Sequence, residues 1–169
     1  MTNVSNFILL SHSESLPSSL SSVRHCLAAD LACGTVGLEG LCEAVKAAGL
    51  VEVLSSGTFT VFAPTTDAFT TLPTERMAEI DNLTDLLLYH VVPGQKLMSS
   101  DLPCAAGENT IEMANGKDTR TRCVSNVPEL QKGSGNSIDD VPAFVTVDVE
   151  ACNGVVHVID GVLLDKNFS

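Results

Sequence analysis

The most reactive side chains in this sequence are six cysteines: Cys26, Cys33, Cys42, Cys104, Cys123 and Cys152. None forms a Cys-x-x-Cys pair, the spacing by which tight turns hold tetrahedral zinc or a thioredoxin-type redox couple. An even set of scattered cysteines points instead to a disulfide framework made in an oxidising compartment, with six buried cytosolic thiols as the alternative. His90 and His157 each lie inside an apolar run. There an imidazole either titrates near neutral pH and switches an interface, or stays neutral and bonded to backbone. Tyr89 reads equally as a contact anchor or as a core ring whose hydroxyl reaches water.

Other constellations carry less chemistry. Asp139-Asp140 is a carboxylate pair on a loop, where adjacent acids are ordinarily solvated, and no EF-hand pattern accompanies it to hold calcium. Acyl transfer needs a nucleophile beside a base and an oxyanion donor. No Gly-x-Ser-x-Gly is present, and Gly133-Ser134-Gly135 lacks the strand-turn-helix setting that would expose a serine. Phosphate-cradling glycine motifs are missing too. No catalytic residue, metal or cofactor is therefore expected. Asn-x-Ser/Thr triplets at Asn3, Asn82 and Asn167 are candidate glycosylation sites.

The elements that position these residues follow from periodicity. Residues 1–24 are serine-rich without apolar period and are expected to be a flexible leader, with the folded domain over 25–169. Met1 to Leu10 has a short apolar run and no preceding basic residue, which does not read as a secretory signal. Leu38, Leu41, Val45 and Ala48 recur at helical spacing, and Gly49 is placed to end that helix. A short helix follows through Val51 and Leu54. Thr58 to Ala63 is β-branched and aromatic and stops at Pro64, so it reads as a strand. Thr65, Thr74 and Asn82 are candidate N-caps, the last opening a helix through Leu86, Leu87 and Tyr89.

The second half reads as β. Ile111 to Ala114 and Lys117 to Cys123 form a hairpin on a two-residue type I′ turn at Asn115-Gly116. That register sets Cys123 opposite Glu108, so Cys104 reaches Cys123 only from the following loop, and Cys104–Cys123 is the favoured pair. Val141 to Val149 and Val155 to Leu164 are two further strands. Helices first and antiparallel strands later is an α+β arrangement.

Composition excludes several partners. Lys+Arg 9 against Asp+Glu 21 leaves a net charge of −12, which repels nucleic acid and anionic membranes, and no basic stripe is apparent along the chain. An apolar fraction of 44% supports a sizeable core, which must be aliphatic because Trp is absent and Tyr occurs once. No apolar run approaches the length of a membrane span.

Two blocks carry a family resemblance. Thr58-Phe59-Thr60-Val61-Phe62-Ala63-Pro64-Thr65-Thr66-Asp67-Ala68-Phe69, continuing to Leu88-Tyr89-His90-Val91-Val92-Pro93-Gly94, and Cys152-Asn153-Gly154-Val155-Val156-His157-Val158-Ile159-Asp160-Gly161, resemble the two signature boxes and Tyr-His motif of the fasciclin domain. The likeness runs from about Leu38 to Leu164. The middle of the chain resembles the cysteine-containing fasciclin-domain proteins of diatoms and related algae. The resemblance implies a fasciclin-like wedge of antiparallel strands flanked by short helices. It further implies a secreted or cell-surface module for adhesion to matrix, with cell-surface proteins or glycans as partners and no catalysis. The family's interaction residues correspond to Tyr89-His90 and to Asp148-Val149, where valine replaces the usual isoleucine. A carrier of an apolar small molecule such as a carotenoid is the alternative, lined by Leu38, Leu41, Val45, Leu50 and Val53.

Overall fold

The computed structural model describes residues 27–72, 83–104 and 109–166. The expected leader, the caps at Thr74 and Asn82, the residues Cys26 and Glu108, and the sequons at Asn3, Asn82 and Asn167 lie outside the described residues. In chain order the elements are α1 Ala28–Gly34, α2 Glu39–Ala47, α3 Val51–Ser55, β1 Phe59–Pro64, α4 Thr66–Thr71, α5 Leu83–Leu88 and β2 Val91–Pro93. A 3-10 turn at Ser99–Asp101 follows, then β3 Thr110–Glu112, β4 Asp118–Val124, β5 Val127–Lys132, β6 Phe144–Ala151 and β7 Gly154–Ile159.

The strands form two sheets among the described residues, ordered β2-β1-β7-β6 and β3-β4-β5. Antiparallel pairing predominates, but the central pair of the larger sheet, β1 with β7, is parallel. Strand β1 is accordingly covered on both faces, with even Thr60 buried. Val61 and Ala63 pack with Ala28, Leu41, Val45 and Leu54 of the helices. Phe62 points the other way, toward Ile111 and Met113 of the smaller sheet and toward Tyr89 and Leu163. The larger sheet is thus sandwiched between helices and the second sheet, an α+β architecture.

Local signals explain the joints. Thr65 caps α4, its side chain accepting from the Ala68 N–H at 3.3 Å. Gly49 ends the α2 turn at φ +69. Gly154 solves a different problem. A Cβ there would lie 1.9 Å from the Phe59 carbonyl oxygen, because β7 enters the parallel pair directly against the start of β1.

The expected type I′ turn at Asn115-Gly116 is not formed. Met113 N–H donates to the Lys117 carbonyl and Gly116 N–H to the Met113 carbonyl, so the loop has three residues and only Gly116 takes positive φ, +76. The register pairs Ile111 with Thr119. The expected alternative would have set buried Ile111 against exposed Arg120, and opposed residues must share a face. The two-residue turn with both φ positive lies one hairpin later, at Ser125 (53) and Asn126 (63), between β4 and β5.

Candidate functional site

Tyr89 and His90 terminate α5 and lead into β2. Tyr89 is fully buried, its ring between the two sheets. Its hydroxyl donates to the Asp118 carbonyl at 2.8 Å and accepts from the Ser134 N–H at 3.0 Å, tying the smaller sheet and the loop after β5 to α5. Burial pushes this phenol above its ordinary pKa.

His90 is also buried. The Leu163 N–H donates to its Nε2 at 2.9 Å, which leaves Nδ1 to carry the proton and donate to the Leu86 carbonyl at 2.8 Å. Burial lowers its pKa to about 4, so the ring is neutral at physiological pH.

Asp148, Val149 and His157 form a second cluster at the other side of the same sheet. Asp148 interrupts β6 at φ 61, where the register with β7 shifts. Its carboxylate accepts from the Ser99 N–H at 2.6 Å and the Ser99 hydroxyl at 2.5 Å. Burial raises the Asp148 carboxyl, but the Ser99 bonds outweigh it and hold the pKa below the ordinary value. The Asp148 N–H donates to His157 Nδ1 at 3.2 Å, and His157 Nε2–H donates to the Leu97 carbonyl at 2.9 Å. Burial lowers the His157 pKa as well. Val149 packs against the helical core.

The two motif pairs are therefore not brought together. Tyr89-His90 precede β2 at one edge of the β2-β1-β7-β6 sheet, and Asp148-Val149 sit on β6 at the opposite edge. All the polar side-chain atoms of Tyr89, His90 and His157 are spent on backbone partners. Such an arrangement orients loops; it leaves no base poised over a cleft.

Two disulfides between described residues tie this frame. Cys33–Cys42 links α1 to α2, and Cys104–Cys123 joins the segment after the 3-10 turn to β4 with Cα atoms 5.5 Å apart. Cys152 is disulfide-bonded as well. The stripe expected to line an apolar ligand pocket does not do so. Leu38, Leu41, Val45 and Leu50 are buried in the core while Val53 is exposed. The void beside Leu41, Val45 and Leu50 is about 20 Å³. A drug-sized ligand needs roughly 300 Å³ or more, so a carotenoid has no room between these helices.

The structure also assembles what the linear sequence conceals. Arg120 on β4 lies directly across from Lys132 on β5, and Arg122 is two residues along the same outward face. The signal was the alternation Arg120-Thr121-Arg122: with Thr119 and Thr121 buried, both arginines must face outward.

Helices on one face of a mixed sheet and a β-hairpin sheet on the other give an α+β fold found in solved structures. The FAS1 domain pair from the insect cell adhesion molecule Fasciclin I matches with a TM-score of 0.66 at 15% identity, over 86% of this chain and 53% of that one. The sequence pattern of the Fasciclin domain matches residues 37–165. Protein sll1483 of Synechocystis sp. is 37% identical over 147 residues, 80% of this chain and 71% of that protein. Immunogenic protein MPB70 of Mycobacterium bovis is 35% identical over 120 residues, 68% of this chain and 54% of its own length. The chain belongs to the fasciclin domain family.

Proposed function

We propose that this chain is an extracellular interaction module, joining its bearer to matrix or cell-surface proteins or glycans without catalysing a reaction. The observation that carries this reading is membership of the fasciclin family across nearly the whole folded region, residues 37–165. The structural neighbour comes from an insect cell adhesion molecule. The disulfides support an oxidising, extracellular setting. The internal use of Tyr89, His90 and His157 supports a rigid frame that presents its exterior. Of the motif residues, the half-buried Asp148 and Val149 on edge strand β6 stay our proposed contact pair, while Tyr89 and His90 are buried and act from within.

The test is attachment. Surfaces coated with the purified protein are challenged with cells and matrix extract of the producing organism, with reduced and alkylated protein as the unfolded control. Retention by the folded protein alone is expected. Equal retention on both surfaces, or turnover of a substrate abolished by one point substitution, overturns the reading.

A further inference from the structure

We propose that the outer face of the β3-β4-β5 sheet binds an anionic glycan, a sugar polymer bearing sulfate or carboxylate groups. The inference rests on the interaction-module reading and names the chemistry of its partner.

The charge distribution is the starting point. This is a strongly acidic chain with Lys+Arg 9 in total, yet Arg120, Arg122 and Lys132 share one small face, and Lys166 borders it. Arg120 stands opposite both Thr110 on β3 and Lys132 on β5. Like charges directly opposed across an antiparallel pair destabilise it. Lys96 and Lys117 are neutralised by carboxylates, whereas Arg120, Arg122 and Lys132 make no ion pair among the described residues. An anion spanning the Arg120–Lys132 pair would relieve that repulsion and accept charge-assisted hydrogen bonds from both.

Shape extends the argument. The Arg120–Lys132 ridge separates two shallow clefts. One, of about 290 Å³, is lined by Thr110, Asp118, Ser134 and Lys166. The other, of about 260 Å³, is lined by Asn109, Arg122, Ile138 and Val141, with Ile138 79% exposed. The strand positions bearing these cations are roughly 5 Å apart across strands and roughly 7 Å apart along β4. That suits charges on successive units of a chain better than one compact ion. Asp118 in the first cleft can accept hydrogen bonds from sugar hydroxyls, donors that a DNA phosphate backbone lacks. Ile138 and Val141 offer apolar surface to the C–H face of a sugar ring. No aromatic side chain lines either cleft, so bases have no stacking platform there.

Binding is measured for the full chain against a heparin oligosaccharide, an oligogalacturonate, neutral dextran and a single-stranded DNA of matched charge. Saturable binding to at least one anionic oligosaccharide, weakened by added salt and absent with dextran, is expected. Arg120→Gln with Lys132→Gln should weaken it about tenfold or more. The control pair Lys46→Gln with Lys96→Gln removes the same charge elsewhere and should change affinity by less than about threefold. Thermal melts confirm that each variant folds. If both pairs lose affinity equally, if neither anionic oligosaccharide binds, or if DNA binds more tightly, the proposal fails. The attachment assay run on the Arg120/Lys132 variant separates the two readings. Attachment retained without glycan binding sinks only the glycan site, whereas no attachment by the unmodified protein sinks the module itself.

Discussion

Tyr89 stands between two backbone groups that have no other described partner within the fold, the Asp118 carbonyl and the Ser134 N–H. Tyr89→Phe preserves the ring packing and removes both bonds, leaving two interior polar groups to find water. A cost of about 1–3 kcal/mol is expected, read as a shift in the urea midpoint. His90 makes the fold sensitive to acid. Its ring accepts from Leu163 N–H, so protonation sets a proton against a donor. With a folded pKa of about 4 against an ordinary 6.5, the unfolded chain takes up the proton first as pH falls. Stability is full above about pH 6.5 and declines between there and pH 4, by about 3 kcal/mol from this residue. His157, lowered in the same direction, adds to the slope. Melting temperatures from pH 7.5 to 4.5 should fall steadily, and His90→Gln, although less stable at pH 7.5, should show a shallower decline.

At the scale of elements, Gly154 decides whether the central pair can close. In Gly154→Ala the new methyl would meet the Phe59 carbonyl oxygen, and neither backbone can retreat without breaking the ladder. A loss of about 3 kcal/mol or more is expected from calorimetry, against well under 1 kcal/mol for an exposed control such as Thr146→Ala. Much of the element pattern is legible in the chain. The run from Thr58 to Ala63 announces a strand by its β-branched and aromatic residues, and Thr65 announces the cap that follows. The hairpin at Asn115-Gly116 shows where such reading stops. Asn-Gly marks a turn, but which turn forms depends on Ile111 and Thr119 facing the same core, a tertiary fact. The Ser125-Asn126 turn carries no glycine signal at all. Likewise, Tyr89-His90 and Asp148-Val149 stand out as motifs, but only the strand order shows that they occupy opposite edges. The Arg120–Lys132 juxtaposition required the β4–β5 register, which no local pattern encodes.

For the whole molecule, the disulfides fasten regions whose own elements are short. Cys104–Cys123 closes a loop of sequence separation 19. Replacing both cysteines by serine should cost about 2–4 kcal/mol, seen as a lower denaturation midpoint under non-reducing conditions. The parallel pairing of β1 with β7 has a consequence for biosynthesis. Strand β7 lies between β1 and β6, so one of the sheet's two middle strands is supplied long after its partner β1 in chain order. Until residue 154 and its successors emerge, β1 has an open hydrogen-bonding edge on that side. The nascent domain therefore cannot complete its central ladder until β7 has emerged.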